Sequence, residues 1–242
     1  MSIASKLAEV RERIAEAERR SARVPGSVEL MAVSKTHPVE AIQEAIAAGQ
    51  ILFGENRVQE FAAKHDLVRA ASNNTGLKFH LIGHLQSNKA ARAAELFDAV
   101  DSVDSLRLAE RLNEAAARLG KVLDILMEVN IGGEAEKSGL APNSDELPHL
   151  LEATRRLGNL NVRGLMTVPP FTVDPEGARP YFARLRELRD DLRTRSGLPL
   201  YELSMGMSHD FPVAIEEGST SVRVGTAIFG ARSYPGPNDN AI

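Results

Sequence analysis

Residues 28–38 read VELMAVSKTHP, an apolar run that stops abruptly at Ser34 and Lys35. A run apolar almost throughout, instead of alternating with polar residues, suits a parallel strand buried on both faces. Seven more runs follow, at about 51–54, 78–83, 97–101, 123–130, 161–166, 200–205 and 221–225. The stretches between them carry helix starts: Pro38 just inside one, Ser144 ahead of Leu147, Leu150 and Leu151, and Asp174-Pro175 at the head of the longest. Eight strand–helix units in 242 residues predict an α/β fold, a (β/α)8 TIM barrel. An open doubly wound sheet would place a glycine-rich nucleotide loop after its first strand, where this chain has SKTHP. Ahead of the barrel, Ile3, Leu7, Val10 and Ile14 form the stripe of one extra amphipathic N-terminal helix. No linker interrupts the pattern, so one domain is expected over residues 1–232, followed by a Pro/Gly/Asn-rich flexible tail at 233–242.

Composition narrows the function. Cysteine is absent, which excludes disulfide frameworks, thiol nucleophiles and iron–sulfur clusters and agrees with a reducing compartment. With 29 Lys+Arg against 33 Asp+Glu, a net charge of −4 and 5% aromatics, a nucleic-acid surface is not expected. No apolar run approaches the roughly 18 residues of a membrane span. Glu9, Glu12, Glu16 and Glu18 argue against a transit peptide, so a cytoplasmic protein is expected. His80 and His84 span a strand and its turn without an acidic cluster beside them, so no metal is assigned.

Active sites of such barrels form at the C-terminal strand ends. Lys35 ends the first run, at the mouth of an apolar core, where desolvation disfavours the ammonium form and frees a nucleophilic amine. Ser204-Met-Gly206-Met-Ser208 and Gly225-Thr226 end neighbouring runs. Their small residues let backbone N–H groups approach a phosphate. Arg223 lies two residues before Gly225 and so one layer deeper on the same face, where Glu128 or Glu202 is its expected partner in the absence of a ligand.

A carbonyl-seeking lysine, a dianion nest and an inward arginine together describe a site for pyridoxal 5′-phosphate. The stretches MAVSKTHP (31–38), FGENRVQE (53–60), FHLIGHLQSNK (79–89), VDSVDS (100–105), GLMTVPP (164–170), LSMGMSHDF (203–211) and VRVGTAIFGAR (222–232) closely resemble the pyridoxal phosphate homeostasis protein family. That resemblance implies an alanine racemase-like barrel, fold type III among pyridoxal phosphate proteins. It further implies a cofactor held as an internal aldimine, a part in intracellular cofactor homeostasis, and indirect effects on amino-acid and keto-acid balance. By motif, Lys35 forms the Schiff base, Ser204, Gly206, Gly225 and Thr226 hold the phosphate, Arg223 faces the pyridine nitrogen, and Asn56 and His84 line the ring. The chain has KTHP where many relatives read KTKP, which leaves the role of a second basic residue open at His37.

An arginine cannot leave the pyridine protonated, so the electron sink is weak, which leaves racemisation or simple holding of the cofactor. A racemase needs a second acid/base opposite the lysine. Tyr201 should lie at the wrong end of its strand, Tyr181 on an outer helix and Tyr234 in the tail, and little sequence follows strand eight to form the racemases' further β-domain. A monomeric carrier is therefore expected ahead of an amino-acid racemase, and ahead of a sugar-phosphate barrel enzyme using Lys35 as an aldolase-type amine. Apo-enzymes that use the cofactor are its expected recipients. Lys137, in the glycine-containing loop after strand five, is a candidate second amine for cofactor transfer.

Overall fold

The computed structural model describes residues 1–70 and 76–231. Strands β1 (Glu29–Val33), β2 (Leu52–Glu55), β3 (Lys78–Leu81), β4 (Ala99–Val103), β5 (Leu123–Glu128), β6 (Leu160–Met166), β7 (Glu202–Met207) and β8 (Ser221–Val224) form one closed barrel. All pairs are parallel, and β8 closes on β1 with Glu29 opposite Ser221 and Met31 opposite Arg223. The expected TIM barrel is thus present. The expected tail at 233–242 lies outside the described residues.

Helix α1 (Ile3–Arg20) precedes the barrel and is capped by Ser2, whose Oγ accepts from the Ser5 N–H. It buries Leu7, Val10, Ile14 and Ala17, and burial of the three larger side chains contributes about 1.5–3 kcal/mol each. The outer helices are α2 (Val39–Ala47), α3 (Val58–Ala70), α4 (Ala90–Leu96), α5 (Leu106–Arg118), α6 (Glu146–Thr154), α7 (Arg179–Ser196), α8 (Phe211–Glu216) and the single turn α9 (Thr226–Phe229). Side chains alternate between this ring and the barrel axis. Phe53 on β2 and Phe79 on β3 face outward into an aromatic cluster, with Phe61 of α3 centred 4.5 Å from Phe79 and 4.8 Å from Phe97. Gly54 faces inward, where a Cβ would lie 2.7 Å from Met31 Sδ.

Strand limits differ from the sequence reading in two informative places. The run at 97–101 begins in the turn after α4, and the strand proper carries the polar Asp101 and Ser102. β7 runs on to Met207, beyond the expected 205, through a register shift against β8 between Ser204 and Met207. Among the described residues no helix is long and apolar enough to cross a membrane.

Candidate functional site

A pocket of about 360 Å³ opens at the C-terminal strand ends, lined by Val33, Lys35, Asn56, Ile82, Val168, Met207, Ser208, His209, Arg223, Gly225 and Thr226. Five of the expected residues therefore meet there: Lys35, Asn56, Arg223, Gly225 and Thr226. Lys35 continues the inward alternation of Met31 and Val33 into a turn, where Thr36 adopts φ +65°.

That turn is gripped from behind. Ser34 is fully buried and its Oγ donates to Glu55 Oε1 at 2.7 Å. Lys64 of α3 reaches the same carboxylate at 2.8 Å and also donates to the Ser34 carbonyl at 3.2 Å. It pairs with Glu60 at 3.3 Å, and Glu60 in turn accepts the Thr36 N–H at 2.5 Å. Burial pushes the Glu55 carboxyl above its ordinary range against the pull of Lys64. The sequence reading passed over this cluster. Its signal was present: Phe61, Lys64 and Val68 share one helical stripe, so a lysine stands on a buried face.

Arg223 is 4% exposed. Its Nη1 donates to Ser204 Oγ at 2.7 Å and its Nη2 to the Thr167 carbonyl at 2.6 Å. Neither expected carboxylate pairs with it. Glu202 binds Arg163 at 2.9 Å, one layer nearer the N-terminal end, and Glu128 accepts from Ser138 Oγ at 3.0 Å in the loop after β5. Burial lowers the Arg223 pKa, opposed by the more distant charges of Asp101, Asp210 and Glu128.

The extension of β7 changes which residues reach the nest. Ser204 is fully buried beneath the pocket with its hydroxyl taken by Arg223. Gly206, at φ +93°, faces α8, where a Cβ would lie 2.6 Å from that of Ala214. Neither lines the pocket. Ser208 does, and its Oγ accepts the N–H groups of both Gly225 (3.2 Å) and Ala227 (3.3 Å). Two backbone donors converging on one oxygen form a small anion nest. Because α9 is a single turn, these local N–H groups supply the attraction that the sequence reading shared with helix dipoles.

His84 is exposed and lies outside the lining, its Nδ1 3.3 Å from Asp104 Oδ2, while Ile82 takes the inward position. Gly83 is required beside Asn56, since a Cβ there would sit 2.3 Å from the Asn56 carbonyl oxygen. Lys137 is half-exposed, ion-paired with Glu134, and donates to the Pro169 carbonyl at 3.3 Å, one residue from the pocket wall at Val168. His37 stacks on Phe229 with ring centroids 4.9 Å apart, joining the turn after β1 to α9. Tyr201 is exposed immediately before β7, at the opposite end of the barrel, and Tyr181 lies on α7. Among the described residues no group of three His, Cys, Asp or Glu side chains could hold a metal ion.

Residues 6–233 match the family model of the alanine racemase N-terminal domain. The chain is 44% identical over 234 residues to the pyridoxal phosphate homeostasis protein of Aquifex aeolicus, covering 97% of this chain and 100% of that one. It is 47% identical over 236 residues to the protein of the same name from Pseudomonas aeruginosa, covering 98% of each. Among solved structures, PipY of Synechococcus elongatus, with PLP bound, superposes with a TM-score of 0.82 at 41% identity, covering 95% of this chain and 100% of PipY. An alanine racemase of Clostridium difficile shares the fold at a TM-score of 0.70 and 16% identity, with all of this chain spanning 58% of the racemase.

Proposed function

The chain belongs to the pyridoxal phosphate homeostasis protein family, and we propose that it holds pyridoxal 5′-phosphate covalently on Lys35 as a carrier without turnover of its own. One observation carries this reading: half-buried Lys35, a guanidinium without an ion-pair partner among the described residues and a two-donor nest face a single 360 Å³ pocket. When bound, the cofactor supplies an aldehyde and an electron-withdrawing pyridine ring. The donor set fits those groups. Lys35 would bond the aldehyde carbon, and Ser208, Gly225 and Thr226 would hold the phosphate, with Ser204 and Gly206 supporting them from behind. Ser208 Oγ now receives two N–H groups that a phosphate oxygen can share.

Arg223 would face the ring nitrogen, and a donor-only guanidinium there leaves that nitrogen unprotonated. Asn56 would flank the ring. His84 would act from farther out, since its imidazole is turned toward Asp104. Loss of the proton at the ring nitrogen weakens the electron sink on which lyase and transaminase chemistry depends. An amino-acid racemase is the second reading. It lacks support for its other acid/base, because Tyr201 sits at the far end of the barrel.

Residues 1–232 would act as one domain, monomeric and cytoplasmic, with apo-enzymes as recipients of the cofactor. The attachment of Lys137 to the loop beside Val168 supports a role for it as a second amine in transfer. Borohydride reduction followed by peptide mass analysis tests the main reading, and a pyridoxyl group fixed on Lys35 is expected. A colourless protein that stays so after incubation with the cofactor would end it. Enzymatic-rate deuterium exchange at an amino-acid α-carbon would favour the racemase, and an unchanged transfer rate to an apo-enzyme in Lys137→Ala would remove the second amine.

A further inference from the structure

The turn that carries Lys35 holds a strained residue. The His37 N–H donates to the Ser34 carbonyl at 3.2 Å, so Lys35 and Thr36 are the two central residues of a four-residue turn. Thr36 stands at φ +65° while Lys35 does not take a positive φ, which is the type II pattern. That pattern calls for glycine or asparagine at the second central position. Among the described residues three non-glycine residues have positive φ, Ala22, Thr36 and Leu200, and only Thr36 is β-branched. Leu200 is fully buried, so packing offsets its conformation. The Thr36 side chain is exposed and gains nothing from burial.

Its compensation comes from α3 through the backbone. Glu60, in the first turn of that helix, accepts the Thr36 N–H at 2.5 Å, and a hydrogen bond to a carboxylate is stronger than one to a neutral oxygen. Rotating the Lys35–Thr36 peptide by about half a turn would bring Thr36 to the negative φ of a type I turn and relieve the strain. The same rotation would withdraw the N–H and turn the Lys35 carbonyl toward Glu60, since the two groups of a trans peptide point opposite ways. Strain at a single residue and a charge-assisted hydrogen bond are of similar size, so Glu60 decides between two orientations that are otherwise close in energy. The choice reaches the amine, because it changes Lys35 ψ by about 150° and side-chain rotamers follow the backbone angles. Lys64, 3.3 Å from Glu60, holds the ends of the turn through the Ser34 and His37 carbonyls at 3.2 and 3.5 Å, while Glu60 holds its centre.

We propose that Glu60 is a positioning residue for Lys35: by accepting the Thr36 N–H it selects the strained turn that presents the Lys35 amine to the pocket. The proposal rests on the reading of Lys35 as the residue that bonds the cofactor. In forming that bond the neutral amine attacks the aldehyde carbon, and the aldehyde oxygen leaves as water with both amine hydrogens. The test titrates the cofactor-free full chain with pyridoxal 5′-phosphate, following the visible absorption of the carbon–nitrogen double bond, and measures hydrogen exchange of the Thr36 amide by NMR without cofactor. Glu60→Ala should speed that exchange at least about tenfold and weaken the cofactor about three- to tenfold, as the competent turn falls to a minor population. Glu60→Gln, which loses the Lys64 ion pair but keeps an accepting oxygen, should stay within about twofold of the parent. Adding Thr36→Asn to Glu60→Ala should restore most of the lost affinity, because asparagine adopts positive φ readily. A loss that came from the Glu60–Lys64 ion pair would not be recovered by that change. Equal affinity in Glu60→Ala and the parent, a Glu60→Gln as weak as Glu60→Ala, or no recovery on adding Thr36→Asn would each overturn the proposal and leave the cofactor reading intact. A parent chain that takes up no cofactor would end both.

Discussion

Two buried cations stand on either side of the Lys35 turn, and they are treated in opposite ways. Behind the turn, Lys64 meets Glu55 at 2.8 Å and Glu60 at 3.3 Å and ties α3 to the ends of β1 and β2. In front of it, Arg223 is as deeply buried yet among the described residues is met only by a hydroxyl and a carbonyl. A buried charge is tolerated when it is paired and hydrogen-bonded, so Lys64 reads as a strut. The partial satisfaction of Arg223 keeps a cation available to the pocket. The difference separates residues that shape the site from those that meet its ligand.

The contrast is most exposed by Lys64→Met. Removing one partner of a buried pair leaves Glu55 uncompensated and should cost about 3–5 kcal/mol in urea denaturation. A loss below about 1 kcal/mol would break the distinction. Gly206→Ala comes next, because a Cβ at φ +93° would lie 2.6 Å from that of Ala214. A loss of about 1–3 kcal/mol is expected in the same measurement, since both strain and overpacking apply. Arg223→Met should cost no more than about 2 kcal/mol, because it leaves the Ser204 hydroxyl and the Thr167 carbonyl without their donor but breaks no ion pair and removes a desolvated charge. Its effect should appear instead in the absorption spectrum and retention of the bound cofactor. If stability falls as far as in Lys64→Met, the two cations do the same work.

The smallest effect is in pH. Glu55 has its carboxyl raised above 4.5 by burial, so the folded state binds its proton more tightly than the unfolded chain. Its contribution to stability is therefore fully present below about 4.5 and is lost as pH rises through the folded value. Lys64→Met removes the opposing charge, which should steepen that decline. The double variant with Glu55→Gln should flatten it, as read from urea midpoints between pH 4 and 8.

The strands were legible because a parallel barrel strand buries both faces and so reads as an apolar block. The eight blocks fall on the eight strands, and Lys35, Arg223, Gly225 and Thr226 emerged as residues at or beside their ends. Ser204 and Gly206 were expected in the nest itself. The register shift that carries β7 to Met207 puts Ser208 there in their place. A shift of this kind is a property of two strands together and leaves no mark in either alone. His84 shows the same limit, since the turn after β3 aims Ile82 inward and sends the imidazole to Asp104.

Local order and residue chemistry were thus written in the chain: strand–helix alternation, an amine at the end of an apolar run, small residues beside a hydroxyl. Closure of the barrel decided the rest. It set Glu29 beside Ser221, brought Lys64 beneath Ser34 and left Arg223 without a carboxylate partner among the described residues. Those relations join residues far apart in sequence, and their energies depend on burial and distance, which arise only when the first strand meets the last.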